Sequence, residues 1–206
     1  MTAQPPISES QAHAVKQWLL ANFAAPLNDA VKPTPFDIDI VCGIACKEAA
    51  CYWLAWTKDS SMTNTDILAR CVFDASGDAP HAPRDAFPRN TAAFRERMGD
   101  DLTNLLIIEA NKTRKLRGFG PKDWVYKGYG IFQYDLQYVL SDAPFFKGLQ
   151  WSDFNQCMSR AMHELMAKYA IYKDIRTAVR AYNGSGPRAE QYAEDVMQLA
   201  AWCSEV

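Results

Sequence analysis

Apolar side chains recur along this chain at helical spacing, and proline- and glycine-marked breaks divide them into successive helices. Ser8 and Gln11 form a capping box ahead of a stripe at Val15, Trp18, Leu19 and Phe23. Residues 22–35 contain Pro26, Pro33 and Pro35 and predict a loop. Thr34 then predicts the cap of a second helix, with Pro35 at its first position and Asp37 three residues after the cap. That helix reaches about Trp56 through IVCGIACKEAACYWLAW. A helix apolar on every side belongs in the centre of a domain.

Thr63 and Asp66 predict a short helix through Phe73, and residues 74–89, with Gly77, Pro80, Pro83 and Pro88, a loop. Two helices follow, over 91–98 up to Gly99 and over 101–117 up to Gly118. Glycines 118, 120, 128 and 130, with Pro121, make 118–130 a loop or short β-structure. After Ser152 the stripe Phe154, Cys157, Met158, Ala161, Met162, Leu165, Met166 and Tyr169 is unbroken. Ile175, Ala178, Val179 and Tyr182 form the next, a turn follows at Asn183-Gly184-Ser185-Gly186, and Pro187 opens a last helix to about Cys203. No repeat or low-complexity linker interrupts this order, so residues 1–206 read as one mainly α domain.

Composition narrows the picture. Of 206 residues, 49% are hydrophobic and 22% charged, the balance of a globular chain rather than a disordered one. A net charge of −2 argues against a dedicated nucleic-acid partner. The longest apolar runs, such as 105–108, fall far short of the ~18 residues of a membrane span. Residues 1–10, MTAQPPISES, have no basic segment followed by an apolar one, so no secretory signal is visible. Cysteines stand at 42, 46, 51, 71, 157 and 203. They include no C-x-x-C pair, which weakens a zinc-site reading, and no metal or cofactor is expected. Cys42 and Cys46 share one helical face and read as buried thiols, with disulfide pairing left open for an oxidising compartment.

Three segments carry candidate chemistry. Glu48 stands in the middle of the apolar helix, where a carboxylate must be paired or kept protonated by desolvation; a protonated carboxyl is what a general acid requires. The plainer reading puts Glu48 on an exposed strip beside Lys47. Gly128-Tyr129-Gly130-Ile131-Phe132-Gln133 combines glycines, which let backbone approach a ligand, with an amide that both donates and accepts; otherwise it is a glycine turn into a strand or helix. Ala181-Tyr182-Asn183-Gly184 ends a helix with a ring that can stack on a sugar and hydrogen-bond, or is a plain Asn-Gly helix end.

Taken in order, Ala45-Cys46-Lys47-Glu48, Gly130-Ile131-Phe132-Gln133 and Ala181-Tyr182-Asn183-Gly184 resemble the three motifs of the goose-type lysozyme and soluble lytic transglycosylase family, over about 36–200 with gaps. The resemblance implies a lysozyme-like helical domain with a long buried central helix and an elongated cleft. It implies cleavage of the β-1,4 bond between N-acetylmuramic acid and N-acetylglucosamine in peptidoglycan. Glu48 would be catalytic, with Gly130, Phe132, Gln133, Tyr182 and Asn183 binding substrate in the same cleft. A chitinase-like glycosidase on the same fold and a glycan-binding protein without turnover are the alternatives. An inverting hydrolase would need a second carboxylate, for which Asp74, Asp78 and Asp123 are candidates. Two departures stand out. Ala49 replaces the family's usual Ser, and the stretch from Glu48 to Gly130 is long, which makes about 74–127 an insertion beside the cleft and outside the core. A wall-directed enzyme must leave the cytoplasm, and no pattern identifies a secretion-system or immunity partner.

The remaining candidates carry less. His163-Glu164 lacks the second His of H-E-x-x-H, since Ala167 occupies its place, and His13 and His81 have no partner motif. Lys112, Arg114, Lys115, Arg117, Lys122 and Lys127 form a basic run. It reads as a solvated face or as a rim that attracts an anionic glycan.

Overall fold

A computed structural model describes residues 4–75, 77–80 and 83–206; His81 lies outside the described residues. In chain order the helices and strands are α1 (Glu9–Val31), α2 (Ile38–Ala45), α3 (Cys51–Trp53), α4 (Asn64–Ala69), β1 (Val72–Ala75), α5 (Thr91–Met98), α6 (Asp100–Leu116), β2 (Tyr126–Tyr129), β3 (Tyr134–Asp135), α7 (Ala143–Lys147), α8 (Phe154–Tyr172), α9 (Ile175–Asn183) and α10 (Pro187–Cys203). The chain is mainly helical, as its periodicity predicts. It divides into two compact units, residues 1–64 with 158–206, and residues 65–157. That division lies outside the segment 74–127 expected as an insertion.

In the first unit the Ser8–Gln11 capping box forms as read. The loop expected over 22–35 does not begin at Asn22, because α1 continues to Val31. Phe23 leaves helical geometry (φ −140°, ψ 25°) and the helix restarts. This puts Pro26 in the first turn of the new segment, where its missing N–H leaves no hydrogen bond unmade. Thr34 is not the cap of the second helix. Its hydroxyl donates to the Val31 carbonyl at 2.8 Å, while Asp37 accepts from the Ile40 amide at 2.8 Å and starts α2 at Ile38.

The central helix has the extent expected but is not one α-helix. A π-helical turn (Cys46–Ala50) follows α2, and α3 and a 3-10 turn (Leu54–Lys58) complete it. Its Ile40, Val41, Ile44, Ala45, Ala49 and Trp53 are buried. Burial of such an aliphatic side chain contributes roughly 1.5–3 kcal/mol. Gly43 explains how closely α10 approaches: a Cβ there would lie 2.8 Å from the Val196 carbonyl oxygen and 3.0 Å from the Ala200 amide. No larger residue fits without moving backbone.

The second unit centres on an antiparallel sheet of order β1-β2-β3, with Val72 opposite Tyr129 and Gly128 opposite Asp135. β1 corrects the expectation that α4 runs on to Phe73. The helix stops at Ala69, and Val72 and Phe73 pair with β2, as β-branched and aromatic residues favour. Helices α5 and α6 fall where read, with Asn90 capping the first through a 2.8 Å bond from the Ala93 amide. The segment 74–127 is not excluded from a core: Phe94, Leu106, Ala110 and Val125 are fully buried. Its loops obscure two amphipathic helices whose apolar faces need a partner layer. Inside this unit Glu109, 3% exposed at its side chain, pairs with Arg70 at 2.6 Å and with Lys112 at 2.6 Å.

Candidate functional site

Glu48 occupies the π turn of the central helix, and α10 crosses that helix at Gly43. A π turn adds a residue to one helical cycle and is frequent at functional sites, because it re-aims the side chains it carries. From the crossing point a polar contact ties the two helices: Lys47 Nζ donates to Asp195 Oδ2 at 2.5 Å, while Gln191 Nε2, on α10 itself, donates to the other oxygen of Asp195 at 2.9 Å. One residue on, the Tyr192 hydroxyl donates to Glu48 Oε1 at 2.6 Å.

Glu48 is thus half-buried and paired, rather than lying on an open strip. Lys47, its neighbour in sequence, is held by a different carboxylate. Burial pushes the Tyr192 phenol far above its usual range, and the charge of Glu48, the nearby Tyr182 and the hydrogen bond itself push the same way. Tyr192 therefore stays protonated and acts as a fixed donor. The Tyr182 and Tyr192 rings stack with centroids 6.5 Å apart at 26°, so Tyr182 belongs to the group around Glu48. Asn183 is the exposed last residue of α9, next to Gly184 at φ 126°.

Gly130, Phe132 and Gln133 belong to the second unit, in the turn between β2 and β3. Gly130 has φ 76°, and a Cβ on it would lie 2.4 Å from Cys157 Sγ. Its lack of a side chain lets the turn sit against Cys157 within the unit. Phe132 is 2% exposed, with its ring 6.0 Å from that of Phe154. Gln133 has a positive φ of 52°, and its amide nitrogen donates to the Gly130 carbonyl at 2.7 Å and to that of Cys71 at 3.3 Å. Of the expected site residues, the described geometry groups Glu48 with Tyr182 and builds Gly130, Phe132 and Gln133 into one hairpin.

Of the candidate second carboxylates, Asp78 accepts from the Thr91 amide and hydroxyl at 2.9 and 2.8 Å and so fixes the start of α5. Asp74 lies 3.6 Å from Lys127, and Asp123 lies 3.8 Å from Arg95. The basic run is largely engaged: Arg114 donates to the Gly120 carbonyl and the Tyr126 hydroxyl, and Arg117 lies over the rings of Phe73 and Phe119. A groove of about 840 Å³ in the first unit lies between residues 4–11 and α10, and Glu48 is not among its lining residues. Among the described residues, Glu9, His13 and Glu205 offer ligand atoms within 4.8 Å of one another, with both carboxylates exposed. His13 thus has a neighbour, Glu205 at 3.9 Å, that no motif announced.

Sequence reasoning missed Tyr192. The signal was present: it lies on the buried stripe of α10 with Ala189, Val196 and Leu199, and a phenol there needs a hydrogen-bond partner. Neither a family model, nor a curated protein, nor a solved structure matches this chain.

Proposed function

We propose that Glu48 is the general acid of an enzyme that cleaves the β-1,4 bond between N-acetylmuramic acid and N-acetylglucosamine in peptidoglycan. The observation that supports this reading is the bond from Tyr192 to Glu48 at 2.6 Å, within the π turn of an otherwise apolar helix. A carboxyl set in such surroundings, oriented by a donor that stays protonated, suits proton transfer to a glycosidic oxygen. Glu48 gives its proton to the leaving oxygen as the glycosidic bond breaks. As a carboxylate it then takes the proton of the muramic 6-hydroxyl, whose oxygen closes on the anomeric carbon to give a 1,6-anhydro product. Tyr192 holds Oε1 throughout, and one carboxylate suffices for both steps. The second reading is a glycan-binding protein without turnover. It is favoured by Ala49, which stands fully buried beside Glu48 where the resembled family has Ser and offers no side-chain hydrogen bond.

Zymography on peptidoglycan and on chitin tests both readings. Clearing of peptidoglycan by the wild type, lost in Glu48→Gln by at least the ~10²-fold typical of general-acid catalysis, is the expected result. A variant that keeps a tenth of the wild-type rate rules out the acid role. Glycan retention without clearing by either protein selects the second reading.

A further inference from the structure

Within the first unit, the start of α1 meets the segment that follows α10 at a place the chemistry of Glu48 does not use. Glu9 and His13 stand four residues apart on α1, so their side chains lie one above the other on the same face of the helix. Glu205 follows the end of α10. Backbone and side-chain contacts hold it there. Lys16 donates to the Cys203 carbonyl at 2.9 Å, Cys203 Sγ lies 3.7 Å from the Ala12 carbonyl oxygen, and the Glu205 amide donates to the Trp202 carbonyl at 3.2 Å. One ligand atom from each of Glu9, His13 and Glu205 then lies within 4.8 Å of the other two, and His13 Nε2 is 3.9 Å from Glu205 Oε2. Among the described residues no other His, Cys, Asp and Glu side chains converge in this way.

His13 supplies a second, separate observation. Its Nε2 is shut off from solvent and has no hydrogen-bond partner within the protein. Glu205, at 3.9 Å, is too far away to be one. A plainer account gives each carboxylate a task of its own. Glu9, in the first turn of α1, complements the helix dipole, and Glu205 is an exposed ionic partner of His13. That account leaves Nε2 unpaired. It also gives no reason for two carboxylates, which repel each other, to converge on one ring.

We propose that Glu9, His13 and Glu205 bind one zinc ion, which ties the first turns of α1 to the segment after α10. The donor set decides the class of metal. Imidazole suits zinc, whereas calcium and magnesium take sets built of oxygen. Zinc takes an imidazole nitrogen at about 2.0–2.1 Å and carboxylate oxygens at about 2.0–2.2 Å, with water completing a tetrahedron. Ligand atoms in such a tetrahedron lie about 3.3 Å apart, so these side chains need to close by roughly 0.5–1.5 Å. Both carboxylates are exposed and can swing that far. Their two negative charges balance the ion, and the neutral imidazole gives Nε2 the partner it lacks. None of the three residues takes part in the chemistry proposed for Glu48.

The test is calorimetric titration of Zn²⁺ into the full chain, untagged and stripped of metal by a chelator. One site per chain is expected. One equivalent of Co²⁺ should give the d–d bands of a tetrahedral ion, without the thiolate charge-transfer band that Cys51 or another cysteine would add. Glu9→Gln and Glu205→Gln keep side-chain size at exposed positions. Each should weaken zinc binding at least about tenfold, since even changes around the ligands of a metal site cost about 10–100-fold. His13→Gln removes the nitrogen and should abolish the site. Circular dichroism establishes that each variant has folded, and the two carboxylate variants decide if His13→Gln does not. Zinc should also slow amide exchange at residues 204–206 of the wild type. No zinc uptake, an unchanged affinity in the carboxylate variants, a thiolate band at one equivalent of Co²⁺, or unaltered exchange at 204–206 would overturn the proposal.

Discussion

Removing the hydroxyl of Tyr192 isolates the bond that ties Glu48 to α10. In Tyr192→Phe the ring keeps its buried place beside Tyr182, and only the donor to Glu48 Oε1 is lost. A hydrogen bond contributes about 0.5–1.5 kcal/mol net, so denaturant titration should show a loss of about 1 kcal/mol. If the hydroxyl positions Glu48 for proton transfer, kcat on peptidoglycan falls about tenfold, the equivalent of 1.4 kcal/mol in the barrier, while KM holds. Unchanged kcat with the same loss of stability would leave Tyr192 a packing residue only. Glu48 itself was legible as an anomaly, because a carboxylate inside IVCGIACKEAACYWLAW demands an explanation whatever the fold. Its partner was not, because residue 192 is 144 positions away and no local pattern links the two.

Gly43 is the point on which the α2–α10 contact depends. A methyl in Gly43→Ala would meet backbone atoms of α10 at 2.8 and 3.0 Å, and backbone cannot turn aside as a side chain can. The helices must separate, at a cost of about 1–3 kcal/mol, the usual range for overpacking. Chemical denaturation measures that loss, and a stability within 0.5 kcal/mol of wild type, the range of an ordinary surface substitution, would show that the crossing has slack. Element boundaries were well read where side-chain chemistry is local. The capping box at Ser8, the glycine ends at Gly99 and Gly118 and the proline start at Pro187 all fall where expected. The misreadings share one cause. Pro26 signals a break, but a kink at Phe23 accommodates it, and the end of α4 is decided by strand pairing with residues 126–129 rather than by its own sequence.

At the scale of the whole chain, the ion pairs of Glu109 in the second unit contribute to stability against acid. Burial works against the charge of Glu109, but Lys112 and Arg70 prevail and hold its carboxyl below the usual carboxylate range. The folded form therefore binds this proton less readily than the unfolded chain does. Its contribution is complete above the ordinary carboxylate pKa and is lost as pH falls through the lowered folded value. Hydrogen exchange of residues 65–157 should show protection falling as pH drops below about 4.5. Glu109→Gln should flatten that fall and cost about 1.5–3 kcal/mol at neutral pH, because the half-buried Arg70 loses its charged partner. An unaltered acid profile in the variant would assign the fall to other groups. The sequence by itself determined the helical class, most helix termini, the isolation of Glu48 and the buried face of Cys42 and Cys46, since periodicity, caps and apolar runs act over a few residues. Only the tertiary structure decided the division into two compact units, the sheet that closes on β1, the π turn that carries Glu48, and the partners of Glu48, Glu109 and Asp195. Those depend on contacts between residues far apart in the chain, and their energies arise only when helices and strands meet.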